Sequence, residues 1–248
     1  MISQLHPGVA GLRRQVRFDP SPGRVRAEVE DDFHNFVVTL RHESGRIIAV
    51  ETESPRHPWT TCPAAGAFLA SRLEGMRLGD VAATPSPLSH CTHMLDLAIV
   101  AAAHARDDSA GRFDMFVGDA EGARRVAELW RDGRCVLRWQ LDGDLIVAGA
   151  AVGRQLRRLR EWIAAEPSWL EAPARLLRRA IFISAGRIHD YEHLATAADS
   201  PRQLGACFTY QPDRAPSARP MRGSKRDFTH SAAGEPVGGA ASHHGSER

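Results

Sequence analysis

The stretch Phe33-His34-Asn35-Phe36-Val37-Val38-Thr39-Leu40-Arg41, followed by His42-Glu43-Ser44-Gly45 and then Arg46-Ile47-Ile48-Ala49-Val50-Glu51-Thr52-Glu53, decides the fold. Apolar and polar residues alternate on both sides of a short polar, glycine-containing turn, the signature of two antiparallel strands. Val25 to Glu30 alternates in the same way and adds a third strand ahead of them. After Pro63 the apolar spacing becomes helical through Ala67, Phe68, Leu73 and Met76, with a short helix over 79–83. The break at Pro85-Ser86-Pro87 leads into a second helix over 91–104. From Phe113 alternation returns over 113–117, 123–130, 135–141 and 145–147, and Asp132-Gly133 and Asp142-Gly143 read as hairpin turns. Helices over 155–165 and 169–184 follow. Strands, helices, a meander and more helices, without strand-helix alternation, predict an α+β protein and not a parallel doubly wound sheet.

Outward from that centre, residues 1–23 read as an extended leader rich in Pro and Arg, 24–110 as one strand-helix unit, and 111–212 as a second unit packed on it. Residues 213–248, with Pro216, Pro220, Pro236 and the Gly238-Gly239 pair but no apolar face, read as a disordered tail dispensable for the fold. No internal repeat is legible. Among the 248 residues, 32 Lys and Arg balance 30 Asp and Glu, and the Arg-rich segment 154–179 is interleaved with acids and Trp. That pattern is a solvated helix face, so nucleic acid is not an expected partner. The longest apolar run, Leu95 to Ala103, falls short of the roughly 20 residues that cross a bilayer, and residues 1–17 lack the apolar core of a secretory signal. A cytoplasmic, bacterial-type protein without membrane contact is expected, with its four Cys reduced.

Chemistry concentrates in two motifs, His57-Pro58-Trp59-Thr60-Thr61-Cys62 and His90-Cys91-Thr92-His93-Met94-Leu95-Asp96. Thiolate and imidazole suit zinc or iron, and each Cys stands at or just before a predicted helix start, where unpaired N–H groups favour thiolate. The plain alternative is a buried thiol acting as a small hydrophobe. His93 and Asp96 fall on an early turn of the second helix, where a carboxylate could orient an imidazole. His57 lies within reach of Cys62 if its loop curls. Asp32 and His34 are expected on one strand face. Cys135, inside a strand pattern, reads as core; Cys207 is left open between site and core. His189, His193, His230, His243 and His244 have no neighbouring Cys.

Two resemblances rest on these residues. Residues 30–104 resemble the IscU/NifU-type iron-sulfur scaffold family, whose Gly-Cys-x-x-Ala helix start, Leu-Pro loop and His-Cys-Ser helix ending in Ala-Ile-x-Ala-Ala are matched by Cys62-Pro63-Ala64-Ala65, Pro85 to Pro87, His90-Cys91-Thr92 and Ala98-Ile99-Val100-Ala101-Ala102. Glu30-Asp31-Asp32 keeps the Asp of that family's first motif but lacks its Cys, Thr61 replaces a Gly, and Leu88 replaces a Lys. The whole chain is similar to a bacterial family of unknown function that carries Pro-Trp-Thr-x-Cys-Pro, His-Cys-Thr-His-x-x-Asp-Leu, Asp-Phe-His, Leu-Arg-Arg-Ala and aromatic-Gln-Pro motifs. Here these are Pro58 to Pro63, His90 to Leu97, Asp32 to His34, Leu177 to Ala180 and Tyr210 to Pro212.

The scaffold resemblance implies an IscU-like arrangement of antiparallel strands plus helices, followed by the second meander and helices. It also implies a zinc or iron site made by Cys62 and Cys91 with His90 and Asp32, and with His57, His93, Asp96 and His34 as alternative or supporting ligands. The expected function is a metal-binding accessory protein, in an iron-sulfur context, that passes its cargo to a protein partner. The alternative is a thiol- or metal-dependent enzyme using Cys62 or Cys91 with a nearby His.

Overall fold

The computed structural model describes Ile2 and residues 5–237. Four strands, β1 (Gly11–Ser21), β2 (Arg24–Asp31), β3 (Asn35–Glu43) and β4 (Arg46–Arg56), run as an antiparallel meander. Helices α1 (Ala65–Leu73) and α2 (Thr92–Ala103) follow. The order then recurs as β5 (Gly111–Gly118), β6 (Arg124–Arg131), β7 (Arg134–Asp142) and β8 (Leu145–Gly149) with α3 (Arg160–Ala165) and α4 (Ser168–Ser184). A short pair, β9 (Arg226–Asp227) and β10 (Glu235–Pro236), lies near the end. The hairpins form where the sequence predicts them: Ser44 and Gly45, and Asp132 and Gly133, all take positive φ, so both turns twist with their flanking strands.

The two meanders form one continuous sheet of eight strands in the order β4-β3-β2-β1-β5-β6-β7-β8. The seam is the antiparallel β1–β5 pair, in which Gln15 faces Asp114 and donates to it at 2.6 Å. The protein is therefore α+β, as the periodicities predict, but the second meander extends the first sheet instead of packing on it as a separate layer. The backbone order of four strands then two helices occurs twice, a repetition that the side chains conceal.

Helices cover one face. α2 packs across β1, β2 and β3, α1 on β4, and α4 across β1, β5, β6 and β7. Leu12, Val16 and Phe18 of β1 point into this layer with Phe36, Val38, Leu40, Leu129 and Trp139. On the opposite face Arg13 and Gln15 are buried, and Arg13 donates to the carbonyls of Leu5 and Val9 in the N-terminal loop and of Gly11. Among the described residues no helix is long and apolar enough to cross a membrane.

Two expectations about the chain ends are corrected. The expected leader over 1–23 contains β1, a central strand whose alternation is masked in the sequence by Arg13 and Arg14, both buried and hydrogen-bonded. The expected disordered tail also packs on the domain as far as residue 237. Ala215, Ala218 and Phe228 are buried there. The backbone N–H groups of Thr60, Met221, Arg226 and Gly8 donate to the carbonyls of Arg219, Pro58, Asp32 and Thr229 at 2.8 to 3.0 Å. A few small or aromatic anchors plus backbone pairing offset the ordering entropy where no apolar stripe exists. Gly238, Gly239, His243 and His244 lie outside the described residues.

A chain ended at residue 212 is accordingly expected to lose cooperative stability, and Phe228→Ala in the full chain to lose about 3 to 5 kcal/mol, the usual cost of removing a buried aromatic ring. Urea unfolding of both variants checks this; midpoints equal to wild type would mean that the segment contributes nothing to the domain.

Candidate active site

Both motif cysteines reach their positions because a helix begins there. Cys62 opens a short 3-10 turn, Cys62–Ala64, held by Pro63 and leading directly into α1. Cys91 is the N-terminal flanking residue of α2, with extended backbone that turns helical at Thr92, and its carbonyl accepts from Leu95 N at 3.0 Å. His93 then falls in the first turn of α2, its Nδ1 at 3.8 Å from Cys91 Sγ. Cys62 Sγ lies 3.5 Å from the Thr209 hydroxyl, which also bonds the Thr61 hydroxyl at 3.0 Å.

The second imidazole comes from the β2–β3 turn. Asp31 ends β2 and gathers that turn onto one carboxylate oxygen, accepting from Phe33 N at 2.9 Å, His34 N at 2.8 Å and His34 Nδ1 at 2.9 Å. Arg14 donates to its other oxygen. Burial works to raise the Asp31 carboxyl, but the charges of His34 and Arg14 and the His34 hydrogen bond outweigh it and hold the group well below the usual carboxylate range. An ionised Asp31 fixes the proton of His34 on Nδ1 and leaves Nε2 as its acceptor atom. The His34 ring rests against that of His93, with centroids 3.9 Å apart.

Cys62, Cys91, Cys207, His34 and His93 all line one cavity of about 410 Å³. Seven aromatic side chains stand in its walls: Phe33, Phe36, Trp59, Phe182, Tyr191, Phe208 and Tyr210. Burial pushes the Cys91 thiol up to about 12 and raises Cys62 and Cys207 as well. Burial, followed by the neighbouring His34, lowers His93 well below its ordinary value. Burial thus outweighs the positive helix ends that the sequence suggests would favour thiolate, and the resting site is neutral thiols beside a neutral imidazole.

The other sequence-derived candidates lie elsewhere. Asp32 and His34 do not share a strand face, because both belong to the turn after β2. The Asp32 carboxylate turns away to form an ion pair with Arg187, and burial raises it while Arg187 opposes. His90 is buried with its ring edge-on to Phe68, centroids 4.9 Å apart, and does not line the cavity. His57 donates from Nδ1 to the Ser54 carbonyl at 3.0 Å. Asp96 pairs with Arg179, Nε to Oδ2 at 2.8 Å, and not with His93. Cys135 is exposed on β7 instead of in the core.

Asp32 and His90 thus stand apart from Cys62 and Cys91, and the ligand set that the scaffold resemblance implies is not assembled. Among the described residues no group of three or more His, Cys, Asp or Glu is arranged to hold a metal ion. Sequence reasoning missed Asp31, Arg14 and Arg179. Asp31 was recoverable in principle as the last residue of a strand before a polar turn; Arg179 falls in the Leu177 to Ala180 motif, but nothing local ties it to Asp96, 83 positions away in the chain.

No family model matches the chain, and no curated protein matches it.

Asp31→Asn leaves the buried Arg14 guanidinium without its counter-charge and is expected to cost about 3 to 5 kcal/mol at pH 7. The folded-state carboxyl lies below its unfolded value of about 3.9, so its contribution is present above that pH and fades as pH falls. The stability gap between wild type and variant should therefore shrink by roughly 1 kcal/mol per pH unit below about 4. Urea titrations across that range measure it, and a gap independent of pH would contradict an ionised Asp31.

Proposed function

We propose that this protein is a thiol-dependent enzyme in which Cys91 is the nucleophile and His93 its proton acceptor, acting on a small molecule held in the aromatic cavity. The observation that carries this reading is the 3.8 Å approach of Cys91 Sγ to His93 Nδ1 at a cavity wall. In the proposed step the sulfur adds to an electrophilic carbon of the bound molecule as the thiol proton passes to His93 Nδ1, and His93 returns that proton to the departing or newly basic atom. A thiol that is neutral at rest suits this order of events, because charge develops only when substrate is in place. The first-turn N–H groups of α2 then lie close to the developing negative charge. His34, its tautomer set by Asp31, supports the His93 ring and supplies a second acceptor atom.

A second reading keeps the expectation drawn from the scaffold resemblance, binding of zinc or iron by a protein with an IscU-like arrangement over residues 30–104. The presence of Cys62, Cys91 and Cys207 on the wall of one cavity favours it, since thiolates are the donors a soft cation takes, and binding would have to draw them together from positions that hold no ion at rest.

Alkylation by iodoacetamide, mapped by mass spectrometry on the full chain, tests the first reading. Cys91 should react slowly at pH 7 and keep accelerating beyond pH 9 instead of levelling near the free-cysteine value of about 8.5. His93→Gln should slow it roughly 10-fold or more near neutrality. A Cys91 rate untouched by that change would remove His93 as base. Elemental analysis of protein purified without tag or chelator tests the second: zinc or iron near one equivalent, with thiols protected until chelator is added, supports it, and content near zero removes it.

A further inference from the structure

Resting on the thiol reading of the same cavity, we infer that the molecule it binds is a small aromatic or conjugated carboxylate, with Arg179 as the group that holds the anionic end. The cavity walls give the first half of the argument. Trp59 meets Tyr210 edge-on at 5.8 Å between centroids and Tyr191 at 5.7 Å, and Tyr191 meets Phe33 at 6.2 Å. These rings brace one another, so the space between them is rigid and takes a flat apolar body at little entropic cost.

The charges give the second half. Among the described residues no Asp or Glu lines the cavity, whereas Arg179, Arg202 and His189 do. An aromatic enclosure alone would also suit a quaternary cation, but two guanidinium groups and no carboxylate at the wall repel one. Arg202 is exposed, while the Arg179 side chain is 19% exposed. Arg179 is also the only one of the two held in place, because Asp96, buried in α2, takes its Nε at 2.8 Å. Among the described residues neither Nη group of Arg179 has a protein acceptor. A guanidinium fixed along one edge and open along another is the arrangement that receives a carboxylate through two parallel hydrogen bonds. Arg179 lines the same cavity as Cys91 and Cys207, so an anion held there shares that space with both thiols.

Calorimetric titration of the full chain with trans-cinnamate, cinnamyl alcohol, octanoate and benzyltrimethylammonium tests the inference. Cinnamate should bind, octanoate more weakly, the alcohol roughly 10- to 100-fold more weakly, and the cation not at all. Arg179→Gln alone would strand the buried Asp96, so the Asp96→Asn, Arg179→Gln double variant is the informative one, with its thermal midpoint recorded as a folding control. It should lose the preference for cinnamate over the alcohol while keeping the alcohol's affinity. Equal binding of acid and alcohol, preference for the cation, retention of cinnamate selectivity by the folded double variant, or no binding of any of the four would each overturn the inference. Cinnamate binding should survive Cys91→Ser, so ligand class is read separately from thiol chemistry. Failure of the alkylation test with cinnamate still bound would sink the enzyme reading and leave a carboxylate-binding cavity.

Discussion

The buried ion pair between Arg14 and Asp31 ties the sheet to the site. The two residues face each other across the β1–β2 register, both almost fully inaccessible to water. Arg14 belongs to the strand at the seam of the two meanders, and Asp31 is the last residue of β2. A buried pair of this kind contributes little net stability against an apolar replacement, since desolvation cancels most of the attraction. Its effect is positional. Once ionised beside Arg14, Asp31 gathers three donors from Phe33 and His34, forces the chain to turn, and fixes the His34 ring. Among the described residues Arg14 Nε and Nη2 have no hydrogen-bond partner, so the buried guanidinium depends on Asp31 for its compensation.

The cavity is assembled from segments far apart in the chain. The β2–β3 turn supplies His34, the starts of α1 and α2 supply Cys62, Cys91 and His93, α4 supplies Arg179, and the irregular stretch after α4 supplies Cys207 with Tyr191, Phe208 and Tyr210 of the aromatic wall. That stretch is held against the helix starts by backbone bonds, Phe208 N to the His90 carbonyl at 2.8 Å and Thr60 N to the Arg219 carbonyl at 2.9 Å. The C-terminal segment is thus part of the enclosure. Closing the cavity has an electrostatic consequence: the desolvation that encloses the aromatic pocket also keeps the thiols protonated and the His93 imidazole neutral.

The two meander-plus-helices halves contribute unequally. The first carries all the thiol and imidazole groups placed by helix starts and by the turn after β2. The second extends the sheet through β5 and lays α4 across the seam, where Arg179 meets Asp96 of α2. A sheet of eight strands is wide enough to hold helices from both halves side by side on one face, and the cavity opens where α2 and α4 come together.

The amino-acid sequence by itself determined the local elements: alternation over 33–53 and 113–147, positive-φ turns at Ser44-Gly45 and Asp132-Gly133, and helix starts at Cys62 and Cys91. These depend on interactions within a few residues, and period and turn chemistry report them directly. Only the tertiary structure decided the rest. β1 was hidden because its arginines are buried, Arg13 against carbonyls of the N-terminal segment and Arg14 against Asp31 of the neighbouring strand. Asp31, not Asp32, faces the site because the turn sends adjacent carboxylates to opposite sides, one to Arg14 and one to Arg187. His90 leaves the cavity for Phe68, and Cys207 enters it, for reasons set by packing between distant segments. The tail over 213–237 is held by backbone bonds to loops and turns that its own composition cannot reveal. Side-chain direction at a turn and contacts across long loops carry no periodic signal, so no reading of local pattern can recover them.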